Sequence, residues 1–262
     1  MKFRLTTRSL ALLLLVFVCA DARAQGASPA ASPAATRTAG RTYVIVHGAW
    51  GGGWAFRRVE ELLRARGHNV YRPTLTGLGE RTHLAGPGVG LRTHVEDVVN
   101  VLLFEDLRDV VLVGHSYGGV VITGVADRVP ERIRSLVYLD AIVPNDGESA
   151  LAAIGGRGEW VKRMERDGLL VPPWVRPEHP LPKDVPHPVK TFTDPVSYKN
   201  EAAKKLPATY VLTVEANATR DDFDAQAERA KGRGWTVLRM TADHNPQRTA
   251  PEALAELLDK AR

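Results

Sequence analysis

Cysteine is nearly missing: the chain of 262 residues has one, Cys19. Beyond it there is no thiol to form a disulfide framework, act as a nucleophile or hold a metal. A strong charge of one sign is also lacking. Lys and Arg total 35 against 30 Asp and Glu, giving +5. The first 24 residues hold Lys2, Arg4, Arg8 and Arg23 against Asp21, which leaves 31 cations and 29 anions, or +2, for the rest. So small an excess calls for neither a nucleic acid nor an acidic membrane as partner. Long hydrophobic runs are absent too. The run Leu10–Ala20 is too short to span a bilayer, which takes about 20 apolar residues. Neither G-x-G-x-x-G with a distal acid nor a P-loop lysine occurs, which removes the usual nucleotide sites. No internal repeat is visible.

What is there begins with an export pattern. Three cations precede the apolar run, and Ala22-Arg23-Ala24 offers small residues where a signal peptidase reads. Cleavage is expected after Ala24, making residues 1–24 a signal peptide and the protein periplasmic or extracellular, with no stable membrane insertion once the signal is removed. Lipidation at Cys19 is the lesser alternative, because Val18 before it is branched. Residues 25–41 are rich in Ala, Ser, Pro and Thr without apolar periodicity and read as a flexible leader. The folded domain is expected over 42–262.

Short β-branched runs alternate there with amphipathic stretches. Strands are predicted at 42–47, 69–72, 109–113, 133–139, 209–214 and 236–240. Helices are predicted at 54–66, over Leu91–Leu103, where apolar residues recur on one face, and at 120–129, 221–231 and 251–261. This alternation implies an α/β fold, a mostly parallel sheet with helices on both faces, whose ligands bind at the carboxyl ends of the strands. Residues 145–206 break the pattern. They are rich in proline and carry Trp160 and Trp174, with one helix expected near Glu159–Arg166; a small lid is expected there.

Gly114-His115-Ser116-Tyr117-Gly118 is a G-x-S-x-G motif. A predicted strand runs into it and a predicted helix leaves it, the setting of a nucleophile elbow. The turn is tight enough to need glycine at both ends, and it holds the serine hydroxyl at the strand's carboxyl end.

With these residues the chain resembles the α/β-hydrolase family, in particular the branch of small bacterial esterases, plant methyl-ester hydrolases and hydroxynitrile lyases. The stretches that carry the resemblance are VIVHGAWGGGW (Val44 to Trp54), LTGLGER (Leu75 to Arg81), VLVGHSYGGVVITGVA (Val111 to Ala126), VYLDAIVP (Val137 to Pro144) and Ala242-Asp243-His244. It implies a serine hydrolase that cleaves a small carboxylic ester through an acyl-enzyme, with no metal or other cofactor. Ser116 is then the nucleophile and His244, between the last strand and last helix, the base. Oxyanion-hole amides are expected on Tyr117 and Ala49. Tyr117 follows the nucleophile, and Ala49 follows the His-Gly pair of the first strand. His47 and His115 are expected to shape the turns.

The acid departs from the family pattern. Ala216 stands where an Asp often follows the fifth sheet strand. Asp140, at the end of the strand after the nucleophile strand, is expected to orient His244 instead. Glu215 is the alternative acid; strand alternation turns it to the face opposite its neighbour. Asp243 is expected to point away from His244. Trp50, His115, Trp160, Met164 and Trp174 are expected to wall the substrate pocket. Two other functions fit the scaffold. The lyase branch uses a threonine and a lysine where this chain has Gly48 and Asn245, and a non-catalytic ligand binder is conceivable because Ala216 replaces the usual acid. The sequence leaves the oligomeric state open.

Overall fold

The computed structural model describes residues 40–155, 158–218 and 222–260, without the side chain of Trp160. The expected signal segment, and the leader up to residue 39, lie outside the described residues. Arg41, read above as leader, already belongs to the domain. Its amide donates to His68 Nδ1 at 3.1 Å and its guanidinium to the Asp259 carbonyl at 3.0 Å.

The core is a six-stranded sheet. Its strands are β1 (Thr42–Val46), β2 (Asn69–Tyr71), β3 (Val110–His115), β4 (Ile133–Leu139), β8 (Ala208–Val214) and β9 (Thr236–Thr241), in the order β2-β1-β3-β4-β8-β9. All neighbouring pairs are parallel. Strand alternation sorts the side chains into two layers. Tyr43, Ile45, Val111, Val113, Val137 and Leu139 pack with Val59 and Leu63 of α1 (Arg57–Ala65) and with Leu254 and Leu258 of the helix Pro251–Lys260. Val44, Val46, Leu112 and Tyr138 face the other way, onto α2 (Leu91–Phe104) and α3 (Gly118–Arg128). The expected face of α2 is buried at Leu91, Val95, Val98, Val99 and Leu102, whereas Leu103 is exposed.

This sorting positions the site. The chain leaves β1 toward one layer and β3 toward the other, so the loops after these adjacent strands part and leave a crevice at their carboxyl ends. Trp174 and Asp184 of the 145–206 insertion lie at its mouth. The described part of the insertion includes the helix Gly158–Met164, shorter than expected, and a small antiparallel sheet of β5 (Glu165–Arg166), β6 (Leu169–Leu170) and β7 (His187–Pro188). Strands of two residues carry no readable periodicity, so the sequence pattern did not announce them.

Two buried histidines brace the loops around the crevice. His47 donates from Nδ1 to the Gly48 carbonyl at 2.7 Å and accepts the Leu75 amide on Nε2 at 3.1 Å. His94 donates from Nε2 to the Thr76 carbonyl and accepts the Tyr117 hydroxyl on Nδ1, both at 2.9 Å. Each uses one donor and one acceptor, the pattern of a neutral ring. Burial lowers both pKa values from the ordinary 6.5 to about 4. The unfolded chain therefore takes up protons first as pH falls, and stability declines from about pH 6.5 down to about pH 4. At the lower end the loss is of order 3 kcal/mol per ring. Urea unfolding midpoints should drop markedly between pH 7 and 4.5; an unchanged midpoint would contradict neutral, buried His47 and His94.

Candidate active site

The motif Gly114–Gly118 forms the turn from β3 into α3. A Cβ on Gly114 would lie 2.6 Å from the Gly118 carbonyl oxygen, and one on Gly118 2.6 Å from that of Val46. Both contacts are too close for any side chain, so the turn is built only with glycine at these positions. Ser116 between them takes the left-handed conformation, φ 54°. This strained geometry is held by its backbone: its amide donates to Leu139 O, and its carbonyl accepts the amides of Gly119 and Ile142.

Three side chains from three loops meet there. Ser116 Oγ donates to His244 Nε2 at 3.0 Å, and His244 Nδ1 donates to Asp140 Oδ2 at 2.6 Å. Asp140 follows β4, also left-handed at φ 43°, and is wholly buried. Its other oxygen accepts the Thr213 amide at 3.1 Å. Two rings pack against the imidazole of His244. Phe223 stacks on it at 4.8 Å with an interplanar angle of 13°, and His115 lies at 4.9 Å. His115 Nε2 donates to the His244 carbonyl at 2.8 Å. Burial, and then the proximity of His244, push the His115 pKa well below its ordinary value, so this ring stays a neutral brace beside the site.

The other carboxylates lie elsewhere. Glu215 is exposed just past β8. Asp243 accepts the Asn245 amide and the Thr249 hydroxyl, each at 2.8 Å, and so caps the turn that follows. The amides of Ala49 and Tyr117 have no hydrogen-bond acceptor among the described residues. Both residues lie beside Ser116 across the β1–β3 crevice, and α3 directs its N-terminal end at the same place.

A cleft of about 360 Å³ opens over Ser116. Trp50, His115 and Trp174 line it. Met164 does not. It packs against the apolar layer beneath the insertion, because the helix ends there and the chain turns into β5. Trp160's side chain lies outside the described residues. The polar end of the cleft was not foreseen: Asn245, Gln247 and Arg248 line it, with Arg248 ion-paired to Asp184 at 3.0 Å. Nor were Thr213 and Phe223. The first acts through a backbone amide, which leaves no residue signature. The second shows itself only once the chain is folded. Among the described residues no group of three or more His, Cys, Asp or Glu is placed to hold a metal ion, and no helix is long and apolar enough to cross a membrane.

Known proteins share this arrangement of chain. The alpha/beta hydrolase family model matches residues 43–257. A carbendazim hydrolyzing esterase of Nocardioides sp. is 57% identical over 241 residues, spanning 82% of this chain and 97% of the relative. A pyrethroid hydrolase of Sphingobium wenxiniae is 26% identical over 251 residues, spanning 82% and 85%. Among solved structures, an extracellular alpha/beta-hydrolase from a Paenibacillus species superposes with a TM-score of 0.72 at 24% identity, covering 84% of this chain and 98% of that one. With the sheet order, the strained serine turn and this extent of match together, the chain belongs to the alpha/beta hydrolase family.

Proposed function

We propose that this protein hydrolyses small carboxylic esters through an acyl-enzyme on Ser116, with His244 as base and Asp140 as the acid that orients it. The observation that carries the reading is the continuous path from Ser116 Oγ through His244 to the buried Asp140, 3.0 and 2.6 Å long at its two links. That the chain is an ester hydrolase follows from its family and its identity to an esterase.

Ser116 attacks the ester carbonyl while His244 Nε2 takes its proton. The amides of Ala49 and Tyr117 receive the oxyanion. His244 then protonates the leaving alcohol and activates the water that releases the acid. Asp140 fixes the tautomer with hydrogen on Nδ1 and stabilises the imidazolium as it forms. The cleft admits a small ester, with Trp50 and Trp174 as its apolar wall. Short to medium soluble esters, rather than triglyceride emulsions, are the substrates that fit. The signal-like first 24 residues make it an exported enzyme in this reading. Neither rival gains support. Asn245 occupies the place of the lyase lysine, its Oδ1 accepting from Gln247 at 3.1 Å, and the triad lacks nothing that a hydrolase needs.

Ser116→Ala is expected to abolish hydrolysis of p-nitrophenyl acetate. Asp140→Asn should lower kcat by about 10³- to 10⁴-fold, by analogy with the wrong-tautomer effect in serine proteases. Glu215→Gln should leave kcat unchanged; the opposite ranking of these two carboxylates would exclude Asp140 as the acid. Across p-nitrophenyl esters of rising acyl length, kcat/KM is expected to peak at short to medium chains. A rate that jumps beyond the substrate's solubility limit would contradict the substrate class. Carbendazim, named for the Nocardioides relative, belongs in the same panel. A fluorophosphonate probe should label Ser116, which a pure binder would not permit, and mandelonitrile should release no cyanide.

A further inference from the structure

Trp50 directly follows Ala49, the residue assigned one oxyanion amide, and its backbone is left-handed at φ 62°. The Gly51 amide donates to the Ala49 carbonyl at 2.8 Å, closing a three-residue turn with Trp50 at its centre. A bulky side chain there is unfavourable, so surrounding structure must impose the turn. The imposing groups come from the insertion. The Trp50 amide donates to His187 Nδ1 at 3.1 Å, and its indole donates to the Leu170 carbonyl at 3.2 Å. Its carbonyl accepts the Val185 amide at 2.8 Å. Trp174 meets the indole edge-on at 5.3 Å, and Phe192 lies 6.0 Å away.

His187 is itself set to receive that amide. Its Nε2 donates to Thr191 Oγ1 at 2.7 Å, while the Thr191 hydroxyl donates to the Pro188 carbonyl at 2.8 Å. The hydroxyl hydrogen is thus committed elsewhere, the ring hydrogen stays on Nε2, and Nδ1 is left as an acceptor facing Trp50. The ring is fully buried. It also packs at 5.0 Å against Tyr117, which bears the other oxyanion amide.

We propose that His187 is a positioning residue: through the Trp50 amide it holds the turn that presents the Ala49 amide, so the insertion is a fixed part of the oxyanion hole. This rests on the serine-esterase reading above. In consequence the insertion does not swing open to admit substrate, because releasing it releases Trp50 and disorganises the hole.

The test compares His187→Leu, which keeps apolar volume but has no acceptor, with His187→Gln, whose carbonyl can still accept. Losing one oxyanion donor outright costs roughly 10²- to 10³-fold in kcat, so a displaced donor should cost His187→Leu about 10- to 100-fold in kcat/KM for p-nitrophenyl acetate. His187→Gln should recover most of that loss. An aryl trifluoromethyl ketone, which forms the tetrahedral adduct, should lose affinity by the same factor, whereas the matching unfluorinated ketone should bind both variants as it binds the parent. If His187→Leu does not fold, Thr191→Val replaces it. That variant frees the ring to take the other tautomer and should lower kcat/KM about 3- to 10-fold with the same split between the two ketones. A folded His187→Leu or Thr191→Val with parental kcat/KM overturns the proposal, as does equal weakening of both ketones. Failure of the underlying reading looks different: the parent protein itself would be inactive toward the ester, or Ser116→Ala would keep its activity.

Discussion

The site depends on one buried charge. Asp140 is removed from water at the end of β4 and receives two hydrogen bonds, from the Thr213 amide and from His244. A carboxylate so placed is tolerable only if both oxygens are answered. That requirement links β4, β8 and the loop after β9. The β8 strand must be in register to offer Thr213, and the loop after β9 must return His244 over the sheet edge. His244, so directed by Asp140, reaches Ser116 with its remaining nitrogen. Phe223 and His115 pack against the ring, so its orientation does not rest on the hydrogen bonds alone.

Three of the non-glycine residues with left-handed backbone stand around this group. Trp50, Ser116 and Asp140 all carry side chains in the left-handed region, at φ 62°, 54° and 43°. Each conformation is imposed by neighbours that belong to a different part of the fold. Close glycine contacts and Leu139 and Ile142 fix Ser116, the Val211 carbonyl accepts the Asp140 amide at 2.7 Å, and the insertion fixes Trp50. The core sheet thus holds Ser116 and Asp140, while the insertion holds the turn at Trp50. Such strain is kept where the surrounding structure over-determines it, as it does for these three residues.

How much of this was legible in the sequence follows from the physics of each part. The sheet strands could be read because apolar runs such as Val110–Val113 and Leu136–Leu139 are buried on both faces, and α2 because Leu91 to Leu102 repeat at helical spacing. Ser116 stood out because glycine stands two positions to either side of it, where no side chain fits. The contact of Asp140 with His244 was reachable once Ala216 was seen to be unable to orient an imidazole. Met164 was misplaced because residue type shows that a side chain is apolar but not which apolar surface it meets. The contact between His187 and Trp50 was hidden more deeply. A lone histidine in an irregular, proline-rich stretch has no period to mark it, and its partner is a backbone amide 137 positions away.

The central claim is that ester cleavage passes through a covalent bond to Ser116, directed by His244 and Asp140. Acid quenching of the enzyme during turnover of p-nitrophenyl acetate, followed by peptide mass spectrometry, examines this most directly. One acetyl group per chain on the peptide containing Ser116, formed in step with a burst of p-nitrophenol, is the predicted result. Steady hydrolysis with no acetylated Ser116 on a time scale that resolves the burst, or acetyl found on another residue as the competent intermediate, would contradict it.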